Sequence, residues 1–234
     1  MLGLTNDNRI MVIDAEASRA RSPMAIQGLN GTLLGIDQRP ADGKLYGVTD
    51  RGQIVTIDPQ TGRAQEVSRL SMPFSSGGRA VVDFNPAADR LRLMGMNGTN
   101  FRVHPDTGAV TQDGSLKYAA GPLGETTPRI TAGAYTNSVG KPASTELYTI
   151  DASLGQLNLQ APPNDGVQQV RHMLGSLPPG IAFDIVPHAD GRNQGILLKL
   201  GTLHSVDLQT GGLSEAKPIA QLHDTEIIDI AAMR

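Results

Sequence analysis

One phrase recurs along this chain, and an internal repeat constrains a fold more than any other sequence feature. Leu45–Asp58 resembles Leu2–Asp14, and the same wording returns as Leu91–His104 and, with a shorter first half, as Ile196–Asp207. A turn of the form Asp-x-x-Thr-Gly often follows: Asp58 to Gly62, His104 to Gly108 (His in place of Asp) and Asp207 to Gly211. Asp, Pro, Thr and Gly suit a tight reversal between two strands. A second marker lies upstream in each unit, a short apolar run ending in Asp: Leu34–Asp37, Val81–Asp83, Ala182–Asp184 and Ile227–Asp229. Thr131–Tyr135 fills the missing place, with Tyr135 where Asp would stand.

The period is about 47 residues, and 234 residues hold five such units. Each unit reads as four short strands, the first full one near 33–37, 44–49, 53–58 and 63–68. Alternation of period two shows in Gln53–Ile57 and Phe101–Val103. No window makes a convincing amphipathic helix; Ser22–Leu29 comes nearest and contains Pro23 and Gly28. Four strands per unit at this period predict an all-β, five-bladed β-propeller in one domain. The blades are expected at about 33–70, 80–113, 130–172, 181–217, and 226–234 together with 1–28. Residues 1–28 supply the last three strands of a blade and 226–232 only its first. One blade is therefore expected to be stitched from both termini, which removes open sheet edges. A β-sandwich, a two-sheet barrel and a parallel β-solenoid are the competing architectures.

At Val82–Arg92 the chain resembles DUF4394, a bacterial family of unknown function. Matching phrases are Gly35–Pro40, Gly98–Arg102, Pro105–Val110, Ala134–Asn137, Pro162–Gly166 and Ala182–Ile185. The resemblance covers nearly the whole chain. It implies the propeller fold and a periplasmic or secreted location, and it carries no activity. No charged segment followed by an apolar run opens the chain, so no signal peptide is expected in this copy, which leaves the cytoplasm open.

Composition excludes several function classes. Net charge is −3 with no Lys/Arg cluster, which argues against nucleic-acid binding. No apolar stretch is long enough for a membrane-spanning helix. Without Cys there are no disulfides, thiolate nucleophiles or Cys-held metals. Four Tyr, four Phe and no Trp leave few platforms for sugars or bases. Met94 and Met96 alternate with Leu93 and Gly95 and read as a buried strand.

Two constellations remain. The first strand of a blade is its innermost, so Asp37, Asp83, Asp184 and Asp229 recur around one axis, with Tyr135 in the fifth place. Two residues on stand Arg39, Asn85, Asn137, Val186 and Ala231. Such oxygens could hold a hard cation such as Ca²⁺, with Asp37, Asp83, Asn85 and Asn137 as ligands. Equally, each carboxylate could cap main-chain amides of the neighbouring blade. The second set is Arg90, Arg92, Asn100 and Arg102 beside Asn85 in one blade, a candidate anion site. Pairing with Asp83, Asp89 or Asp106 is the competing account. Among His104, His172, His188, His204 and His223 no pair has zinc-ligand spacing. There is no Gly-x-Ser-x-Gly elbow, and Ser75–Gly78 lacks the Lys-Ser/Thr of a phosphate loop. Asn30–Thr32 and Asn97–Thr99 match a glycosylation sequon and read as turns.

The function expected is a non-enzymatic binding or scaffold module taking a protein partner or small ligand at the propeller mouth. A metal-dependent hydrolase or lyase using the axial Asp and Asn residues is the second reading, and a structural subunit of a larger assembly the third.

Overall fold

The computed structural model describes residues 1–222 and 226–234; His223 lies outside them. Five antiparallel sheets form a five-bladed β-propeller, so the expected fold class holds. The innermost strands are Leu33–Gln38, Ala80–Asn85, Ile130–Tyr135, Ile181–Pro187 and Ile227–Ala231, each packed beside the next in a closed ring. In the first blade, which begins at Leu33, the order outward is Leu33–Gln38, Leu45–Thr49, Gln53–Ile57, Ala64–Arg69.

The fifth blade joins the two ends of the chain. Ile227–Ala231 is innermost and pairs antiparallel with Leu2–Thr5, with Leu2 opposite Ala231 and Leu4 opposite Asp229. Leu2–Thr5 pairs in turn with Arg9–Asp14. Two short strands lie outside the four-strand pattern: Met24–Ala25 pairs with Arg9–Asp14 in the fifth blade, and Lys117–Tyr118 leaves the second blade and pairs in parallel with the outer strand Val167–Met173 of the third.

The repeated turn is built as its residues dictate. Asp58 accepts the Gln60 N–H at 2.8 Å and the Thr61 hydroxyl at 2.8 Å. At the equivalent turn of the second blade Gly108 has φ 71°, and a Cβ there would overlap the Arg69 carbonyl. A side chain is thus excluded twice, by backbone conformation and by space.

The core sits in the seams between blades. Apolar clusters fill four of them: Val48, Phe84 and Leu91 between blades one and two, and Ile150, Leu157 and Phe183 between three and four. Ile13, Leu198 and Ile227 lie between four and five, and Leu4, Ile36 and Val55 between five and one. The second-to-third seam holds a smaller cluster around Met94, Ile130 and Tyr135. No helix among the described residues is long and apolar enough to cross a membrane.

Candidate functional site

Alternation along the inner strands turns one residue in two toward the next blade, and the repeated Asp occupies that position. Asp37 accepts the Phe84 N–H of the second blade at 2.7 Å, and Asp83 the Tyr135 N–H of the third at 2.9 Å. Asp184 accepts the Ala232 N–H at 2.6 Å, and Asp229 the Ile36 N–H at 2.8 Å. Four carboxylates therefore latch four of the five seams. Gly35 makes the last one feasible: a Cβ there would come within 2.6 Å of the Asp229 carboxylate and 2.8 Å of Val82. The amide-capping alternative raised for these residues is what the geometry displays.

The carboxylates also converge. One oxygen each from Asp37, Asp83 and Asp184 lies within 4.8 Å of the others, all three residues being buried. Asn85 and Asn137, named from sequence as ligands with Asp37 and Asp83, do not join them. The Asn85 amide oxygen accepts the N–H groups of Ala87 and Ala88 in its own turn. Asn137 is in the left-handed region at φ 57° and bonds Asn193 of the fourth blade in both directions, at 2.8 Å each. Asp184, at the equivalent repeat position of its inner strand to Asp37 and Asp83, is the third member of the cluster.

Burial dominates the electrostatics of this cluster, since a desolvated carboxylate holds its proton. Asp37 is pushed well above the ordinary carboxyl range by burial and then by the Asp184 charge. Asp83 moves the same way through burial, Asp37 and Asp184. Asp184 rises to about 6 and Asp229 to about 8, burial leading in both, opposed by the N–H bonds each accepts.

Two arginines close the ends of the axis, and sequence reasoning missed both. Arg79 donates from Nη2 to the carbonyls of Ile181 and Ile228, each at 2.6 Å. Arg234 crosses the opposite mouth, its N–H on the Gln38 Oε1 at 2.9 Å and its Nη2 on the Pro187 carbonyl at 3.1 Å. The space left between Asp37, Asp184 and Arg234 is about 10 Å³, room for about one water. Both residues occur once, outside the repeat, so no periodic signal points to them; Arg79 stands one residue before an inner strand.

The Arg-rich set of the second blade is consumed internally, by partners other than those expected. Arg92 is 1% exposed. It reaches Asp113 Oδ2 at 2.7 Å, Asn100 Oδ1 at 2.8 Å, Asn164 Oδ1 at 2.9 Å and the Tyr135 hydroxyl at 3.2 Å. Arg102 grips both oxygens of Asp113 at 2.7 and 2.9 Å. Among the described residues Arg90 donates to the main-chain carbonyls of Ala88 and Asp89 and to no carboxylate. Asp89 and Asp106 serve Arg39 of the first blade instead, at 2.6 and 2.7 Å. A planar fork holding two carboxylates ties blade one to blade two.

One concavity is left open. A groove of about 750 Å³ lies on the Arg234 side of the disc between blades three and four. Its walls carry Glu146, His188, Arg192 and Asp207, and Tyr148, Leu208 and Leu213 line its apolar part. This is the seam where Tyr135 replaces the latching Asp. None of the residues named from sequence as site candidates lines it; Asn193, which bonds Asn137, does.

No curated protein sequence matches this chain significantly. Among solved structures it resembles a Bacteroides thetaiotaomicron protein of unknown function, at TM-score 0.57 and 15% identity over 99% of this chain and 63% of that one. It also resembles a protein described as an auxiliary nutrient binding protein from Bacteroides ovatus. There the TM-score is 0.52 at 14% identity, over 84% of this chain and 55% of the other. The chain thus spans little more than half to under two-thirds of these relatives, and at such identity the likeness concerns the fold alone. The family model for a domain of unknown function, DUF4394, matches residues 4–231, and the chain belongs to that family.

Proposed function

We propose that this protein is a non-enzymatic binding or scaffold module of the cell envelope or the exterior. The observation that carries the reading is the internal use of its reactive side chains. The axial carboxylates accept inter-blade N–H bonds, and Arg39, Arg92 and Arg102 are bound to Asp89, Asp106 and Asp113. A rigid disc then presents loops and grooves, and function lies in those rather than in the fold. The description of the Bacteroides ovatus protein as nutrient binding supports a role in capturing material outside the cytoplasm. The test is a thermal-shift screen against amino acids, peptides, sugars and nucleotides, with each hit followed for conversion. Binding without turnover is the expected result; turnover abolished by Asp37→Asn would overturn it.

The convergence of Asp37, Asp83 and Asp184 favours a second reading, a bound divalent ion such as Ca²⁺ serving hydrolase or lyase chemistry. Metal analysis and melting with and without chelator decide it. An unchanged melting temperature and no co-purifying divalent ion remove this reading.

A further inference from the structure

Resting on the binding-module reading, we propose that the groove between blades three and four is a site for a small organic cation of about dipeptide size, an amine or guanidinium carried on a partly apolar body. Its volume of about 750 Å³ falls within the range of small-molecule sites, roughly 300–1,000 Å³. Its position is the one break in the five-fold pattern: a carboxylate latches every other seam, whereas Asn137 and Asn193 bridge this one.

The lining fixes the sign of the charge. Glu146 and Asp207 both face the groove, and neither makes a salt bridge among the described residues. Of the basic side chains on the same wall, Arg192 is already held at 2.7 Å by Asp190 in its own turn, and the His188 imidazole meets the Gln194 side chain at 3.1 Å. Asp207 accepts the N–H groups of Gln209 and Thr210, and those bonds hold its carboxyl below the usual range. It is therefore anionic throughout the physiological range. The Tyr148 hydroxyl donates to Glu146 at 3.3 Å, which orients that carboxylate. Burial and Glu146 push the phenol upward, so its proton stays in place. An unpaired carboxylate pair over Tyr148, Leu208 and Leu213 suits a ligand with a cationic head and an apolar side. An anionic ligand would meet two like charges.

The test uses the full chain and three dipeptides acetylated at the N-terminus and amidated at the C-terminus, Arg-Leu, Gly-Leu and Glu-Leu, so that only the first side chain carries charge, followed by amide chemical shifts and calorimetry. Arg-Leu is expected to saturate with shifts centred on Glu146, Tyr148, Asp207 and Leu213, and Glu-Leu to leave them unmoved. Glu146→Gln should weaken Arg-Leu about fivefold at unchanged melting temperature, the effect of one solvent-accessible ion pair. Gly-Leu binding as well as Arg-Leu, or no saturable shift with Arg-Leu, overturns the proposal. The two readings fail separately. A screening hit that shifts other residues leaves the binding module standing without this site, while an empty screen removes both.

Discussion

The third blade faces two seams through a single strand, Gln156–Gln160, and the two could hardly differ more. Leu157 and Leu159 point toward the fourth blade and join Ile150, Phe183 and Leu197 in an apolar cluster. Gln156, Asn158 and Gln160 point toward the second blade, where a polar network adjoins the smaller apolar cluster around Met94 and Tyr135. Thr149 donates to Gln168 at 2.6 Å, Gln168 to Gln160 at 2.7 Å, and Gln160 to the Pro163 carbonyl at 2.7 Å. Arg92, Asn100 and Asp113 complete it from the other side. Asn158 is fully buried in this seam, its amide beside the Tyr118 hydroxyl. Alternation of period two makes one strand serve both designs. The apolar seam draws stability from area and shape and accepts another hydrophobe of similar volume. The polar seam depends on each partner separately, because any one removed strands a buried group.

That contrast sets the order of expected effects. Arg92→Ala leaves Asp113 buried with only the half-exposed Arg102 beside it, and should cost about 3–5 kcal/mol in urea denaturation. Asp113→Asn placed on top should recover part of the loss. A cost within about 1 kcal/mol would break the comparison, since the polar seam would then be as forgiving as the apolar one. Next comes Leu157→Ala, expected to cost about 2–4 kcal/mol through lost transfer energy and the cavity left. Leu157→Met, close in volume, should cost less than about 1.5 kcal/mol. If both Leu157 variants unfold the protein alike, the apolar seam is the intolerant one and the contrast reverses.

Much of this architecture was legible because it is copied. The run ending in Asp and the turn ending in Gly recur at one period, so blade number, inner strands and the stitching of the termini follow from counting. The latching role of Asp37, Asp83, Asp184 and Asp229 could be named for the same reason, since equivalent residues in a ring face equivalent neighbours. What occurs once was not legible. Asp113 follows an outer strand at no repeated position, so nothing marked it as the partner of Arg92 and Arg102, and Asp89 and Asp106 were named instead. Asp184 belongs to the repeated set, but that the Asn85 and Asn137 oxygens turn to Ala87, Ala88 and Asn193 instead depends on local loop geometry. The groove is assembled from loops of two blades, Thr136–Glu146 and His188–Asn193 among them, whose sequences differ from those of the other units.

A further effect separates the axis from both seams by its pH dependence. Asp184 and Asp229 titrate at about 6 and about 8 in the fold, against about 3.9 in the unfolded chain. The folded state keeps protons the unfolded state has released, so this stability is full below about pH 4 and is lost as pH rises toward 8. The groups facing Asp229 are Arg79, which opposes the shift, and Asp184, which adds to it. Asp89 behaves oppositely: Arg39 holds its carboxyl low, so its contribution is lost as pH falls through its folded value. Stability should therefore peak in mild acid and decline toward pH 8.5 in urea titrations. Asp229→Asn, whose amide oxygen can still accept the Ile36 N–H, should flatten that decline. A flat wild-type profile from pH 5 to 8.5 would mean that the axial carboxyls are ionised throughout.

The smallest effect lies inside the polar seam and sharpens the comparison most. Arg92 and Arg102 grip the same Asp113 oxygen at the same 2.7 Å, yet their side chains are 1% and 36% exposed. Solvent screens the second pair and not the first. Arg102→Gln should accordingly cost less than about 1 kcal/mol, a fraction of the Arg92→Ala loss. In the Arg92→Ala background the same substitution removes the last cation from a buried carboxylate and should cost more than it does alone. A double-mutant cycle reads that coupling directly. If the two losses simply add, Asp113 is stabilised by its surroundings as a whole, and the one-partner-at-a-time account of the polar seam fails.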